Sequence, residues 1–415
     1  MRKGLRNILC LLMLAMLLGG RALAVESDAG SAGDGAVTLV NQQEGGENHA
    51  GDNNSAAEKH SGTTDESIKQ EKVIRGQYDA LDLDELYSAA DREALDMLDG
   101  IDILDADFSS GVGQIFDSAG GMLVDILKNI AGSAAVVMAI VLLCSLVGAV
   151  YDDSGRSVPS YVNLAGVLAV AAVTLGGFSF LNLGVETIGK MQIFSKTLLP
   201  ALSTLATAAG AYTSASVKYM ATVLFMDVLL TTAERVFMPV IYAYIAVSMA
   251  NAAFGSGSLQ GAASVLKWMA NIILTVIMIA FVAYITISGV VSSSADMVTT
   301  RVAKTTISTV IPVVGGIISD AAASIVAGAS VVKSAAGVFG ALVVIAIAII
   351  PFLRLGVSYL MYKLASGLST SLISAPLSKL VGDLGNAYGM VMGLVGAGTI
   401  MMFFSILSLI KVVSG

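Results

Sequence analysis

The sequence predicts an all-α polytopic membrane protein of about seven or eight transmembrane helices with re-entrant or discontinuous segments between them, because apolar runs near the spanning length of about 20 residues recur along it. Three observations carry that prediction. The 415 residues are 55% hydrophobic and only 13% charged, with a mean hydropathy of +0.80, more apolar surface than a soluble core hides. The long apolar runs begin only near residue 119 and continue to the end of the chain. Charge is segregated as well: residues 1–24 hold four bases and no acid, residues 25–118 hold 22 acids and 5 bases, and residues 119–415 hold 9 acids and 14 bases. The net charge of −8 therefore comes from one segment that repels phosphate, which argues against a nucleic-acid surface.

Residues 1–24 read as a signal peptide. Arg2, Lys3 and Arg6 form a positive start, Ile8 to Leu18 an apolar core too short to span comfortably, and Ala22-Leu23-Ala24 a small-x-small cleavage site. Residue 25 onward then starts outside the cytoplasm. Residues 25–74 form an acidic, polar tract with too few apolar side chains to offset the entropy of ordering, so it is expected to be disordered. Its His49 and His60 are the only histidines of the chain, too few and too isolated to hold a metal. Residues 75–118 mix carboxylates with apolar positions such as Leu86, Tyr87, Met97, Leu98 and Phe108 at partly helical spacing. This is an acidic amphipathic helical segment outside the membrane, able to dock on a partner or on the membrane domain.

Residues 119–415 form the polytopic membrane domain. Its clearest spans are Met122–Val150, Val162–Leu183, Trp268–Val291, Val338–Leu353 and Tyr388–Ile410, followed by the shorter or more polar Val217–Thr232, Val236–Phe254 and Leu355–Ile373. Three apolar stretches are broken by proline and small residues: Ile193–Ala211 around Pro200, Thr306–Ser330 around Pro312 and Ser374–Gly389 around Pro376. Interrupted backbone at membrane depth is tolerated only under protein or around water, so these three are expected to be discontinuous and to point inward.

The residues exclude much chemistry. No histidine follows residue 118, which removes Ser-His-Asp, Cys-His and HExxH sites, and no GxxxxGK[ST] loop is present for nucleotide. An aspartyl intramembrane protease needs GxGD, but Leu380 stands where Gly382-Asp383 would require the first glycine. Cys144 is the only cysteine outside the leader. The sequence thus points to no enzyme, no cofactor and no metal. Ionisable groups inside apolar runs are costly and become candidates by default. Asp227 and Glu234 lie seven residues apart, and with Lys218 they are expected to share a stripe facing the bundle interior, either as structural pairs or as a relay. Asp320 and Lys333 are expected to mark the two ends of a short re-entrant turn. Gly315, Gly316, Gly389, Gly393 and Gly398 fit close approach of helices.

The run Thr306 to Ala321, with Pro312-Val-Val-Gly315-Gly316 and Ser319-Asp320 at its centre and Arg301 and Lys304 before it, is similar to the signature of the stage III sporulation protein AE family. The leader, the acidic segment and a multi-span domain of this length resemble that family too, from about Tyr78 to the C-terminus. The resemblance implies a subunit of the channel-like, secretion-like complex that endospore formers build across the two membranes around the forespore. Its implied partners are the other A-operon membrane proteins, their ATPase, and a forespore protein met in the intermembrane space; its implied place is the mother-cell membrane. The family supplies no catalytic residue, so its motif residues here, Pro312, Gly315, Gly316 and Asp320, are expected in structural or pore-related roles, as Pro200, Asp227, Glu234 and Lys333 are from their own places in apolar runs. The competing expectation is a stand-alone secondary transporter that couples through Asp227, Glu234 and Asp320.

Overall fold

In the computed structural model the chain divides at Lys72, and all described residues, 83–99, 107–153, 160–175, 178–209, 212–255, 257–310, 315–370 and 375–410, belong to the unit Val73–Gly415. The expected leader and the polar tract at 25–74 lie outside the described residues. Every regular element among the described residues is helical. Two short helices, α1 (Leu83–Ala89) and α2 (Arg92–Asp96), precede α3 (Phe108–Asp153), α4 (Ser160–Leu175), α5 (Phe178–Ala208) and α6 (Tyr212–Thr232). A π-helical turn, Ala233–Phe237, then runs into α7 (Met238–Phe254), followed by α8 (Gln260–Val310), α9 (Gly315–Thr370) and α10 (Ala375–Ile410).

Local chemistry sets several of these boundaries. Asp107 starts α3: its Oδ2 accepts from the Ser110 N–H (2.8 Å) and its carbonyl from the Ser110 hydroxyl (3.1 Å), answering donors that a helix start leaves unpaired. Gly255, at φ +66°, closes α7 in the left-handed conformation that only glycine adopts freely. Asn251 Oδ1 then accepts from the Leu259 N–H (3.1 Å) and shapes the turn into α8. The π turn has a cause two residues downstream of it. Pro239 lacks an N–H, and its ring crowds the Arg235 carbonyl, so the widened turn relieves a clash that a regular α-helix would carry.

Five helical runs among the described residues are long and apolar enough to cross a membrane: Phe108–Val147, Ala215–Phe254, Gln260–Tyr284, Gly328–Ser369 and Pro376–Ile410. Tyr161–Thr174 is a shorter apolar helix. Pairs of expected spans have fused. Val217–Thr232 and Val236–Phe254 continue into each other through the π turn, and the two expected around 338–373 are one helix, α9, passing Pro351. Gly328–Ser369, at 42 residues, is about 63 Å long, roughly twice the hydrocarbon thickness.

Two of the three expected interruptions are corrected. α5 runs unbroken through Pro200. The lost hydrogen bond is outweighed by burial on both sides of it, where Leu198, Leu199 and Leu202 are fully enclosed. Pro376 interrupts nothing either, because it sits in the first turn of α10, where its missing N–H has no partner to lose. Pro312 lies outside the described residues, between α8 and α9.

α9 is the central helix: 78% of its apolar window is enclosed, against 22% for α3 and 11% for α8, which lie at the periphery. Its seam with α10 is antiparallel and made of glycine. Cβ atoms built on Gly382, Gly385 and Gly389 would lie within 2.7–3.3 Å of Ser366, Tyr362 and Tyr359, and one on Gly356 would lie 3.3 Å from Met392 Sδ. Far along the same seam, Gly337 receives Ile410. As one index falls from 366 to 337 the other rises from 382 to 410, so the two helices keep register over their shared length. α3 runs parallel to α9: Gly111 receives Leu342, and Ser369 donates to Met138 Sδ (3.1 Å) at the same offset of 231 residues. α6 and α7 together run antiparallel to α10, with contacts at Lys218–Ser408, Leu229–Gly398 and Tyr244–Asp383.

Candidate functional site

The end of the bundle where α3 starts and α10 finishes carries a docked collar. α1 packs on α5 and α2 on α9, burying Leu86, Ala90, Ala94, Met97 and Leu98, which is why this acidic segment keeps an apolar side. The Tyr87 ring meets Phe339 of α9 edge-on at 5.5 Å. Lys190 of α5 pairs with Asp91 at 3.2 Å and with Glu186 at 3.6 Å, and Gln114 Nε2 donates to the Asp99 carbonyl (2.8 Å). The segment docks on the membrane domain, one of the two dockings expected for it.

Two ammonium groups lie inside that end. Lys218 is buried and donates to the Ser408 carbonyl (2.9 Å) in the last turn of α10, where unpaired carbonyls and the negative end of the helix dipole favour a cation. Lys333 of α9 is fully buried and its Nζ has no hydrogen-bond partner among the described residues. Lys333 and Asp320 do not flank a re-entrant turn, since both lie on the single helix α9; the Asp320 side chain lies outside the described residues, and Gly315 and Gly316 form the first turn of α9.

The expected interior stripe of Lys218, Asp227 and Glu234 is also corrected. Nine residues separate Lys218 from Asp227, two and a half helical turns, so the two project to opposite sides. Lys218 points inward while Asp227 and Glu234 are exposed, Glu234 on the π turn. Asp227 instead meets α5, where Gln192 Nε2 donates to its Oδ1 (3.2 Å). Further along the same groove, Tyr242 donates to Asn182 Oδ1 (2.7 Å). Pro200, on α5, joins neither contact.

A third polar cluster, which sequence reasoning did not single out, ties α7 to α10 nearer the opposite end. The Tyr244 hydroxyl donates to Asp383 Oδ1 (2.9 Å), and Asn386 Nδ2 donates to the Tyr244 oxygen (3.1 Å) and more weakly to Asp383 (3.4 Å). The signal was present: an aspartate and an asparagine three apart on a mostly apolar helix share one face. Among the described residues no three metal-ligating side chains converge. These contacts tie helices to one another.

No solved structure matches the chain. Stage III sporulation protein AE of Bacillus subtilis (strain 168) is 25% identical over 196 residues, 47% of this chain and 49% of the relative, so the alignment spans about half of each. The sequence profile of stage III sporulation protein AE matches residues 102–413, from the approach to α3 to beyond α10. With the whole helix bundle inside that match, the chain belongs to the stage III sporulation protein AE family.

Proposed function

We propose that the chain is a non-enzymatic, multi-pass membrane subunit of a sporulation channel or secretion-like complex linking mother cell and forespore. The observation that carries this reading is the family match over the complete bundle. Its seat is the mother-cell membrane, and its partners are the other A-operon membrane proteins, their ATPase and a forespore protein across the intermembrane space. The helix directions support six crossings, by α3, α4 with α5, α6 with α7, α8, α9 and α10 in alternation. With the leader exporting residue 25, the collar and the C-terminal end of α10 both face the intermembrane space. The alternative of a lone transporter loses its coupling stripe, because Asp227 and Glu234 do not face the bundle interior.

The test is recovery of the tagged full chain from sporulating cells in mild detergent. The expected outcome is co-purification of small membrane proteins and the ATPase. The reading is overturned if the chain purifies alone and by itself drives solute uptake into liposomes that Asp227→Asn abolishes.

A further inference from the structure

Polar groups are settled unequally at the two ends of the bundle. At the end away from the collar, Ser366 Oγ donates to the Ser378 carbonyl (2.8 Å) and Ser378 Oγ to the Ser366 carbonyl (2.9 Å), reciprocal bonds that pin α9 to α10. Tyr244, Asp383 and Asn386 pin α7 to α10 beside them. The Ser248 hydroxyl, one turn from Tyr244, is enclosed there with no partner among the described residues. It is neutral, and leaving it unpaired costs far less than leaving a charge so.

At the collar end the enclosed charge is uncompensated. Among the described residues Lys218 and Lys333 are the only buried charged side chains, so no carboxylate is enclosed with them. Lys218 has the Ser408 carbonyl, in the last turn of α10, but Lys333 Nζ has no acceptor among the described residues. What closes over Lys333 offsets little of that cost. Leu198 of α5 packs on Gly340 and the two helices run antiparallel, so seven residues toward the collar end Lys333 is level with Leu205 and Ala206. Four of the side chains enclosed near that level, Ala206, Ala215, Ala329 and Ala336, are alanines, and a methyl group removes too little apolar surface from water to balance an unpaired ammonium. Water is close by: Tyr87 of the collar touches Phe339, six residues from Lys333, and Glu93, Asp96 and Asp99 of the collar are exposed.

We propose that the collar end of the bundle opens in the native protein, the end of α5 and the start of α6 lifting from α9 so that the Lys333 ammonium reaches water, while the end held by Ser366, Ser378 and Tyr244 stays shut. An unpaired buried charge lowers the stability of the closed form locally, which places this end at the low side of the range over which native proteins open. Opening at one end alone gives the bundle a direction. The inference stands on the packing of the bundle itself, whichever partners the chain has.

The test uses the full chain with Cys10→Ser and Cys144→Ala in mild detergent, carrying Ala206→Cys or Ala387→Cys, positions enclosed at the collar end and beside Asp383. Reaction of position 206 with a small water-soluble thiol reagent is expected to slow about tenfold or more when Lys333→Met is added, and to stay unchanged with Lys128→Met. Position 387 is expected to respond to neither. Hydrogen exchange of the unmodified chain gives a second measurement: the α5 amides from Leu202 to Ala206 are expected to exchange about tenfold or more faster than the α10 amides from Ala387 to Val391. No slowing at 206, equal slowing at 206 and 387, or exchange in α5 no faster than in α10 overturns the proposal. Partner recovery from sporulating cells moves with none of these results, so the inference and the subunit reading fail separately.

Discussion

Lys333 is the most exacting single residue in the bundle. An ammonium with no exposure and no acceptor among the described residues is costly to enclose, so Lys333→Met should raise the thermal midpoint of the solubilised full chain, by about 1–3 kcal/mol in stability. Lys128→Met serves as the control: its side chain is 73% exposed and it makes only an i,i+3 contact with Asp125, so it should stay within about 0.5 kcal/mol. A less stable Lys333→Met would mean that the ammonium is held by an acceptor after all. Sequence reasoning found Lys333 and Asp227 because charge inside apolar runs is rare. It placed Asp227 and Glu234 in the interior with Lys218 although a spacing of nine alternates faces on a helix, and it missed Tyr244–Asp383–Asn386 because only folding brings α7 against α10.

At the level of elements, the seam between α9 and α10 depends on what glycine leaves out. A Cβ on Gly389 would lie 2.9 Å from the Tyr359 ring, so Gly389→Val should cost about 1–3 kcal/mol by overpacking. Gly261 faces open space, and Gly261→Ala should leave the thermal midpoint unchanged or slightly higher. Equal loss from both would remove the packing explanation. The collar should yield less to mutation: a double-mutant cycle on Asp91 and Lys190 is expected to return a coupling of about 0.2–1 kcal/mol that shrinks with salt, since the pair is partly solvated. Gly389 and Gly398 were legible as packing positions from the sequence, whereas Gly356, Gly382 and Gly385 were not singled out; the described parts of the expected spans are helical. Their continuity was not legible. Proline reads as a break when judged locally, yet Pro200 is carried inside α5 by buried leucines on either side, and Pro351 is carried inside α9 by its enclosure in the bundle.

For the whole molecule, the alternating helix directions set a topology that reporters can read. A reporter inserted after Gly257, in the turn between α7 and α8, and one fused after Gly415 should report opposite sides of the membrane; reports from the same side would break the six-crossing arrangement. Hydropathy made the all-helical membrane class legible, and the Pro312-to-Asp320 run made the family legible. Hydropathy could not count crossings, because windows of spanning length cut a helix of 56 residues in two.

α9 is held in fixed register by α3 along one side and by α10 along the other. A helix clamped that way cannot shorten or slide locally, so a push at its collar end must reappear at its other end as displacement. Pro351 changes that rod only in its hydrogen bonding, having no N–H to give, and the helix runs through it unbroken.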